Sequence, residues 1–239
     1  MLLIPIGDEP NDHVRRPIVT YLLIGVNLAI FAWLYIRSGG KDEVLAELLR
    51  PLGYVADQGR PETIVTHMFV HAGWMHVLGN MLFLWIFGDN VESRLGHVGF
   101  LFAYLATGAV ALFAHVLLAG SPTDQPLVGA SGAVSGVQGL YFVACPGARV
   151  RLLFWLLYVV RVFHVPARLI MIAWFALQDV LPVILRGPED HVAHWAHLGG
   201  FAMGLLLMVL LLPWLGRNEP PPRPSLHERY PPRHRTREW

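Results

Sequence analysis

The chain has little charge and almost no cysteine. Of its 239 residues only 15% are charged, the formal net charge is +1, and Cys145 is the single cysteine. A net charge this close to zero excludes a strongly basic nucleic-acid-binding protein. One cysteine excludes an intrachain disulfide and a Cys-x-x-Cys metal or redox site. Soluble domains carry about 25% charged residues, so the missing charge is itself a clue to the class of protein.

Long apolar runs, in which charge is nearly absent, account for that deficit. A helix of roughly 20 apolar residues crosses the hydrocarbon of a bilayer. Six runs predict transmembrane helices: 17–36, 73–88, 97–118, 129–145, 166–185 and 194–214. The N-terminus carries acids and lacks the order of a secretory signal, so we expect the first run to remain as a span. The sequence therefore predicts an all-α, polytopic membrane protein.

The arginines predict the orientation of these helices. They concentrate before the first span, after the second, after the fourth and in the C-terminal tail, and the positive-inside rule places that side in the cytosol. Both termini are therefore expected to be cytosolic. We interpret residues 1–216 as one membrane domain and residues 217–239 as a disordered tail rich in Pro and Arg. Segment 152–164 is predicted to lie at the cytosolic interface or to re-enter the membrane without crossing it.

Polar side chains within apolar spans are costly and usually mark function. Ser131 lies near the outer start of the fourth span and His197 near the outer start of the sixth. His76 and Asn80 share one face of the second span, because residues four apart are neighbours on a helix. All four are predicted at similar depth. Small residues at helical spacing would let the fourth and sixth helices approach closely: Gly132, Gly136, Gly139, Ala196, Gly200 and Gly204.

This set of residues predicts acyl transfer. Ser131 would attack a peptide carbonyl, with His197 acting first as base and then as acid to the leaving amine. Asn80, His76 and backbone N–H groups at the start of the fourth helix, including that of Gly132, are predicted to stabilise the oxyanion.

Two further polar residues receive a structural interpretation. Asp179, in the outer half of the fifth span, could orient the base, but a packing or interface role is favoured for it. His194 is interpreted as a hydrogen-bonded structural histidine. The catalytic unit predicted from the sequence is therefore a Ser–His dyad.

Four motifs follow one another in a fixed order along these spans. They are His71-x-x-x-x-His76-x-x-x-Asn80, Gly88-Asp89-Asn90-Val91-Glu92-x-Arg94-Leu95-Gly96, Gly129-Ala130-Ser131-Gly132 and Ala196-His197-Leu198-Gly199-Gly200. Over most of residues 1–214 the chain resembles the rhomboid family of intramembrane serine proteases. The resemblance implies a six-helix bundle with a water-filled cavity that opens outward. It also implies cleavage of membrane-anchored proteins in or near their transmembrane segment, without a cofactor.

The resemblance implies the same roles as inferred above. Ser131 matches the nucleophile, His197 matches the base, and His76 and Asn80 match the residues on the oxyanion side.

The resemblance also makes Glu92 and Arg94 a structural pair and gives His71 a role in shaping the outer loop. One departure is Ser135, which stands where the family often has an aromatic residue against the catalytic histidine. We expect Trp195 or another neighbour to hold that ring instead.

The resemblance further implies a location and partners. We expect an integral protein of the bacterial cytoplasmic membrane, with its active site open to the outer side. Its partners would be the lipid bilayer and single-pass transmembrane substrates, with no nucleic acid and no metal. The fifth helix and the loop 186–193 are candidates for a lateral gate and a cap over the cavity.

Three other functions compete with proteolysis. Histidines could form a zinc site, with candidates His67, His71, His76, His191, His194 and His197. The chain has no His-Glu-x-x-His motif, so the general base of that metalloprotease pattern is missing. A transporter would carry polar groups through the membrane depth, whereas here they cluster in the outer half. A catalytically silent binder of membrane helices remains an alternative.

Overall fold

The structure is a computed structural model, and it describes residues 2–9, 16–55, 58, 60–119, 126–185 and 193–215. The predicted tail, 217–239, and residues 186–192 of the proposed cap lie outside these ranges.

In the part of the chain that the structure describes, apolar helices form a bundle, and four of them are long and apolar enough to cross a membrane. The helices are α1 (Ile18–Arg37), α2 (Asp42–Leu49), α3 (Thr63–Thr66), α4 (Trp74–Ala119), α5 (Ser131–Ala144), α6 (Ala167–Phe175), α7 (Leu181–Leu185) and α8 (His194–Leu215). A π-helical segment, Ala176–Val180, joins α6 to α7, so that Ala167–Leu185 is one apolar span. α4 is interrupted at Gly96, where φ is 73°, and this kink divides it into two arms. Together with the shorter α5, these helices confirm the predicted polytopic bundle.

The outward surface of the bundle is apolar. Large hydrophobic side chains on different helices are exposed, among them Leu22, Phe102 and Leu210. Polar residues such as Asn27 and Gln138 are buried instead. Such an arrangement suits a solvent of lipid chains, in which exposed apolar groups carry no cost. The protein is therefore an integral membrane protein.

A small sheet, which the sequence interpretation did not include, covers one end of the bundle. Strands β1 (Leu2–Glu9), β2 (Arg149–Leu156) and β3 (Val159–Pro166) pair antiparallel in the order β1-β2-β3. Segment 152–164 thus belongs to a β-hairpin of this sheet. Its strand conformation was missed, and its place at the cytosolic interface or in a re-entrant segment stays a prediction. Val150 and Leu152 are buried while their neighbours are more exposed, which is the period-two pattern of a strand.

A buried aspartate attaches the sheet to the helices. Asp8 on β1 is 2% exposed, and its Oδ2 accepts a hydrogen bond of 2.7 Å from Asn90 Nδ2 on α4. The hydroxyl of Tyr141 on α5 donates to the same oxygen. Hydrogen bonds to a charged acceptor are stronger than neutral ones, so Asp8 links β1 to two helices of the bundle.

At the same end, Glu92 takes the place of a cap for α1. The residue before α1, Pro17, provides no side-chain cap. The Glu92 carboxylate, fully buried, accepts hydrogen bonds from the N–H groups of Val19 at 2.9 Å and Thr20 at 2.7 Å. It also accepts from the Thr20 hydroxyl at 2.7 Å and His97 Nδ1 at 2.5 Å. A negative charge is favourable at a helix N-terminus, so Glu92 stabilises the start of α1; its pairing with Arg94 stays a prediction.

We predict that Glu92→Ala destabilises the protein by about 3 kcal/mol, because it leaves buried donors of α1 without an acceptor. The free energy of unfolding in detergent measures this loss. Glu43→Ala, at an exposed acid of α2, serves as the control and should change it by less than about 0.5 kcal/mol. Equal stability of the two variants would contradict the capping role.

Candidate active site

The backbones of α5 and α8 touch through glycines. A Cβ atom on Gly200 would overlap the carbonyl oxygen of Gly132, and one on Gly204 would overlap that of Gly136. Only residues without a side chain allow this approach, so the predicted small-residue contact is confirmed. Ser131 begins α5 and His197 lies in the first turn of α8. The contact therefore brings the first turns of both helices together.

Both residues line one cavity of about 750 Å³ at the end of the bundle opposite the sheet. His76 and Asn80, from the first turns of α4, line the same cavity. The four side chains that the sequence singled out are thus brought together. No hydrogen bond joins the described side chains of Ser131 and His197. Catalytic hydrogen bonds are often long before substrate binds and tighten afterwards.

The segment just before α5 is held by histidines. The Gly129 N–H donates to the His67 carbonyl at 2.9 Å, and the Ala130 N–H donates to His71 Nε2 at 3.4 Å. The His76 ring packs on Gly129, where a Cβ atom would come within 2.6 Å of Nε2 and φ is +120°. Only glycine fits this position easily. These contacts therefore hold the backbone just before Ser131, and the role of His71 in shaping the outer loop stays a prediction.

His71 acts as an acceptor, which requires a neutral ring. The side chain is fully buried. This burial, together with repulsion from the nearby His76, lowers the pKa of His71 to about 3. Burial likewise lowers the pKa of His67, whose Nδ1 donates to the Thr63 carbonyl at 2.8 Å. Both rings are therefore neutral at physiological pH.

Asn80 presents an unused donor to the cavity. Its side chain is 8% exposed, and its Nδ2 has no hydrogen-bond partner among the described residues. Buried donors without a partner are rare and call for an explanation. A group that binds an oxyanion must be free until the reaction places negative charge beside it. The amide of Asn80 meets this requirement, because its Nδ2 has no hydrogen-bond partner among the described residues. Gly132, the other predicted donor, lies against Ala111 and Ala196 at the helix contact.

Asp179 makes a contact that the sequence interpretation considered but did not favour. A packing or interface role was favoured for it, but its Oδ1 lies 2.6 Å from His197 Nδ1 and 3.1 Å from His194 Nδ1. The carboxyl is 2% exposed and belongs to the π-helical segment. The available signal was its charge, since an acid within an apolar span is seldom mere packing. His194 is hydrogen-bonded, as predicted, and its ring lies 6.4 Å from that of His197. Asp179 and His194, rather than Trp195, are the neighbours found beside the His197 ring.

Asp179, His194 and His197 are also the residues that could bind a metal ion. One possible ligand atom from each lies within 4.8 Å of the others. Zinc holds nitrogen and oxygen ligands at about 2.0–2.2 Å in a tetrahedron, which separates the ligand atoms by more than about 3 Å. The 2.6 Å contact between His197 and Asp179 is shorter than that. The arrangement is therefore that of hydrogen bonds.

Comparisons with known proteins agree on one family. The sequence model described as "Rhomboid domain" matches residues 58–214. The chain is 32% identical to "Rhomboid protein 1, mitochondrial" of Saccharomyces cerevisiae over 203 residues, which cover 79% of this chain and 51% of that protein. It is 33% identical to "Rhomboid protease GluP" of Bacillus subtilis over 131 residues, 54% of this chain and 25% of that protein.

A third relative is "Rhomboid-like protein 11, chloroplastic" of Arabidopsis thaliana. The identity is 34% over 148 residues, which cover 62% of this chain and 51% of that protein. The chain thus spans about half the length of the yeast and Arabidopsis proteins and a quarter of the Bacillus protein.

We predict that the buried His71 makes the protein less stable in acid. Its pKa is lowered in the folded state, so the stability it contributes is present above the unfolded pKa of about 6.5 and is lost as the pH falls toward 3. The melting temperature of the unmodified protein should fall more steeply from about pH 7 to about pH 5 than that of His71→Gln. Ser38→Ala, which removes a hydroxyl and no titratable group, should keep the unmodified slope. Parallel curves for all three proteins would contradict the prediction.

Proposed function

Because the chain belongs to the rhomboid family, whose domain model matches residues 58–214, we propose that it is an intramembrane serine endopeptidase. It would cleave membrane-anchored proteins in or near their transmembrane segment. The observation that carries the proposal is the single cavity lined by Ser131, His197, His76 and Asn80. A nucleophile, a base and an oxyanion donor are the parts that acyl transfer requires.

The reaction follows from these positions. Ser131 Oγ attacks the carbonyl carbon of the scissile peptide while its proton passes to His197 Nε2. The oxyanion of the tetrahedral intermediate accepts hydrogen bonds from Asn80 Nδ2, from His76 and from the Gly132 N–H. His197 then protonates the leaving amine, the C–N bond breaks, and an ester on Ser131 remains. Water, deprotonated by His197, hydrolyses that ester and restores the serine.

The orientation of the bundle determines on which side of the membrane the active site opens. The cavity lies at the end of the bundle opposite the sheet, and the arginines of β2, Arg149 and Arg151, lie at the sheet end. The positive-inside rule makes the sheet end cytosolic, so the active site would open to the outer face of a bacterial cytoplasmic membrane. Residues 1–216 would form the protease domain, and single-pass membrane proteins would be its substrates.

We predict that cleavage requires Ser131, His197 and Asn80. The purified protein in detergent should cleave a model single-span substrate, and Ser131→Ala and His197→Ala should abolish cleavage. Asn80→Ala should lower kcat about 100-fold, because one oxyanion donor is lost. Ser38→Ala removes a hydroxyl that donates to the Tyr35 carbonyl at the end of α1, and this variant should remain active.

Covalent labelling of Ser131 by a fluorophosphonate reports on the serine without a protein substrate. Labelling without cleavage would show an activated serine that was offered the wrong substrate. Neither labelling nor cleavage would favour the silent binder of membrane helices. Cleavage that survives Ser131→Ala, or that a chelator abolishes, would contradict the proposal.

A lateral route for substrates follows from the contacts of the span Ala167–Leu185. Trp174 on this span contacts Phe83 on the first arm of α4, with ring centroids 5.0 Å apart, and both residues line the cavity. Trp174 is itself 41% exposed, and few side chains of the span are buried. Outward movement here would admit a transmembrane segment from the lipid.

We predict that a disulfide between Phe83→Cys and Trp174→Cys, in a Cys145→Ser background, blocks this route. Oxidation should abolish cleavage of the single-span substrate, reduction should restore it, and fluorophosphonate labelling should persist in both states. The reduced double variant is the matched control. Undiminished cleavage after complete crosslinking would contradict the lateral gate.

A further inference from the structure

The carboxylate of Asp179 is buried within an apolar span, where a charge is energetically costly. It is 2% exposed within the apolar span Ala167–Leu185. A buried charge is tolerated when donors surround it. Here two imidazole N–H groups do so, since His197 Nδ1 lies 2.6 Å and His194 Nδ1 3.1 Å from the same oxygen, Oδ1.

The helical geometry of the span Ala167–Leu185 directs the Asp179 side chain toward α8. Its buried face runs in steps of four through Ala167, Met171, Phe175 and Asp179. In a regular α-helix each such step turns the side chain about 40° further around the axis. The helix changes from α to π directly after Phe175, and the wider turn takes up that drift. Short π-helical segments within α-helices are frequent at functional sites.

The hydrogen bond decides which nitrogen of His197 can act as a base. Because Asp179 accepts at Nδ1, that nitrogen carries the proton, and Nε2 keeps its lone pair. Nε2 is the nitrogen that must take the proton of Ser131. The imidazolium formed during attack then lies beside a fixed negative charge, which stabilises it.

We propose that Asp179 is a positioning residue for His197, so that the catalytic unit is Ser131–His197–Asp179 rather than a dyad. The inference rests on the proposed protease function and deepens it. His194, the second donor, holds the carboxylate in place. The other titratable groups whose charge acts on His197 are His76 and His115, both on α4. Among the described residues, Asp179 is the carboxylate hydrogen-bonded to this base.

The test compares Asp179→Asn with the unmodified protein in cleavage of the single-span substrate and in fluorophosphonate labelling. Asparagine keeps the shape but removes the charge and does not enforce the correct tautomer. We expect kcat and the labelling rate to fall about 100-fold or more, with KM unchanged and the melting temperature retained. Gln178→Asn, at the exposed neighbour in the same π-helical segment, is the matched control and should keep full activity.

A second variant distinguishes a positioning role of Asp179 from a role in stability. Asp179→Glu keeps a buried carboxylate and should retain more of kcat than Asp179→Asn does. Equal losses in both, accompanied by lower melting temperatures, would make Asp179 a structural residue and overturn the inference. Activity lost on chelation and restored by Zn²⁺ would make the three residues metal ligands and would also overturn it.

The result separates this inference from the proposed function. If the unmodified protein cleaves and is labelled at Ser131 but Asp179→Asn keeps the same kcat, the positioning role is wrong and the protease remains. A rise in KM with unchanged kcat would assign Asp179 to substrate binding and would equally contradict positioning. If the unmodified protein neither cleaves nor is labelled, the proposed function itself fails.

Discussion

The close contact between α5 and α8 is the constraint on which the site depends. Lipid chains are as apolar as leucine side chains, so helices in a bilayer associate through packing and hydrogen bonds. Gly132 and Gly136 on one helix meet Gly200 and Gly204 on the other without any intervening side chain. Because the backbones touch here, residues in the first turn of each helix face a common cavity. A methyl group at Gly200 would force the helices apart and would separate Ser131 from His197.

Three buried carboxylates link elements of the structure, because each accepts hydrogen bonds from an element other than its own. Asp8 connects β1 to α4 and α5, Glu92 connects α4 to the start of α1, and Asp179 connects the span Ala167–Leu185 to α8. The first two lie at the sheet end and act on the fold. Asp179 lies at the other end and contacts His197. The span that carries it also forms the proposed gate, so the path of the substrate and the alignment of the base share one element.

Much of this arrangement could be predicted from the sequence. Hydropathy marks the spans, and polar groups within them mark the site, because both signals are local and have a large energetic cause. The sheet was missed, since an apolar stretch between arginines at 149–166 resembles an interfacial helix as well as a hairpin. The contact between Asp179 and His197 was not favoured for a different reason. The direction of the Asp179 side chain depends on a π-helical turn, and the period of a regular helix does not anticipate such a turn.

The central claim is that these helices assemble one catalytic centre around Ser131. A crystal structure of the protein after reaction with a fluorophosphonate tests it most directly, because the reaction forms an O–P bond at Ser131 and releases fluoride. We predict phosphorus on Ser131 Oγ, a phosphonyl oxygen within about 3 Å of Asn80 Nδ2, and an intact contact between His197 and Asp179. A phosphonyl oxygen that points away from Asn80, or phosphorus on a different residue, would contradict the account.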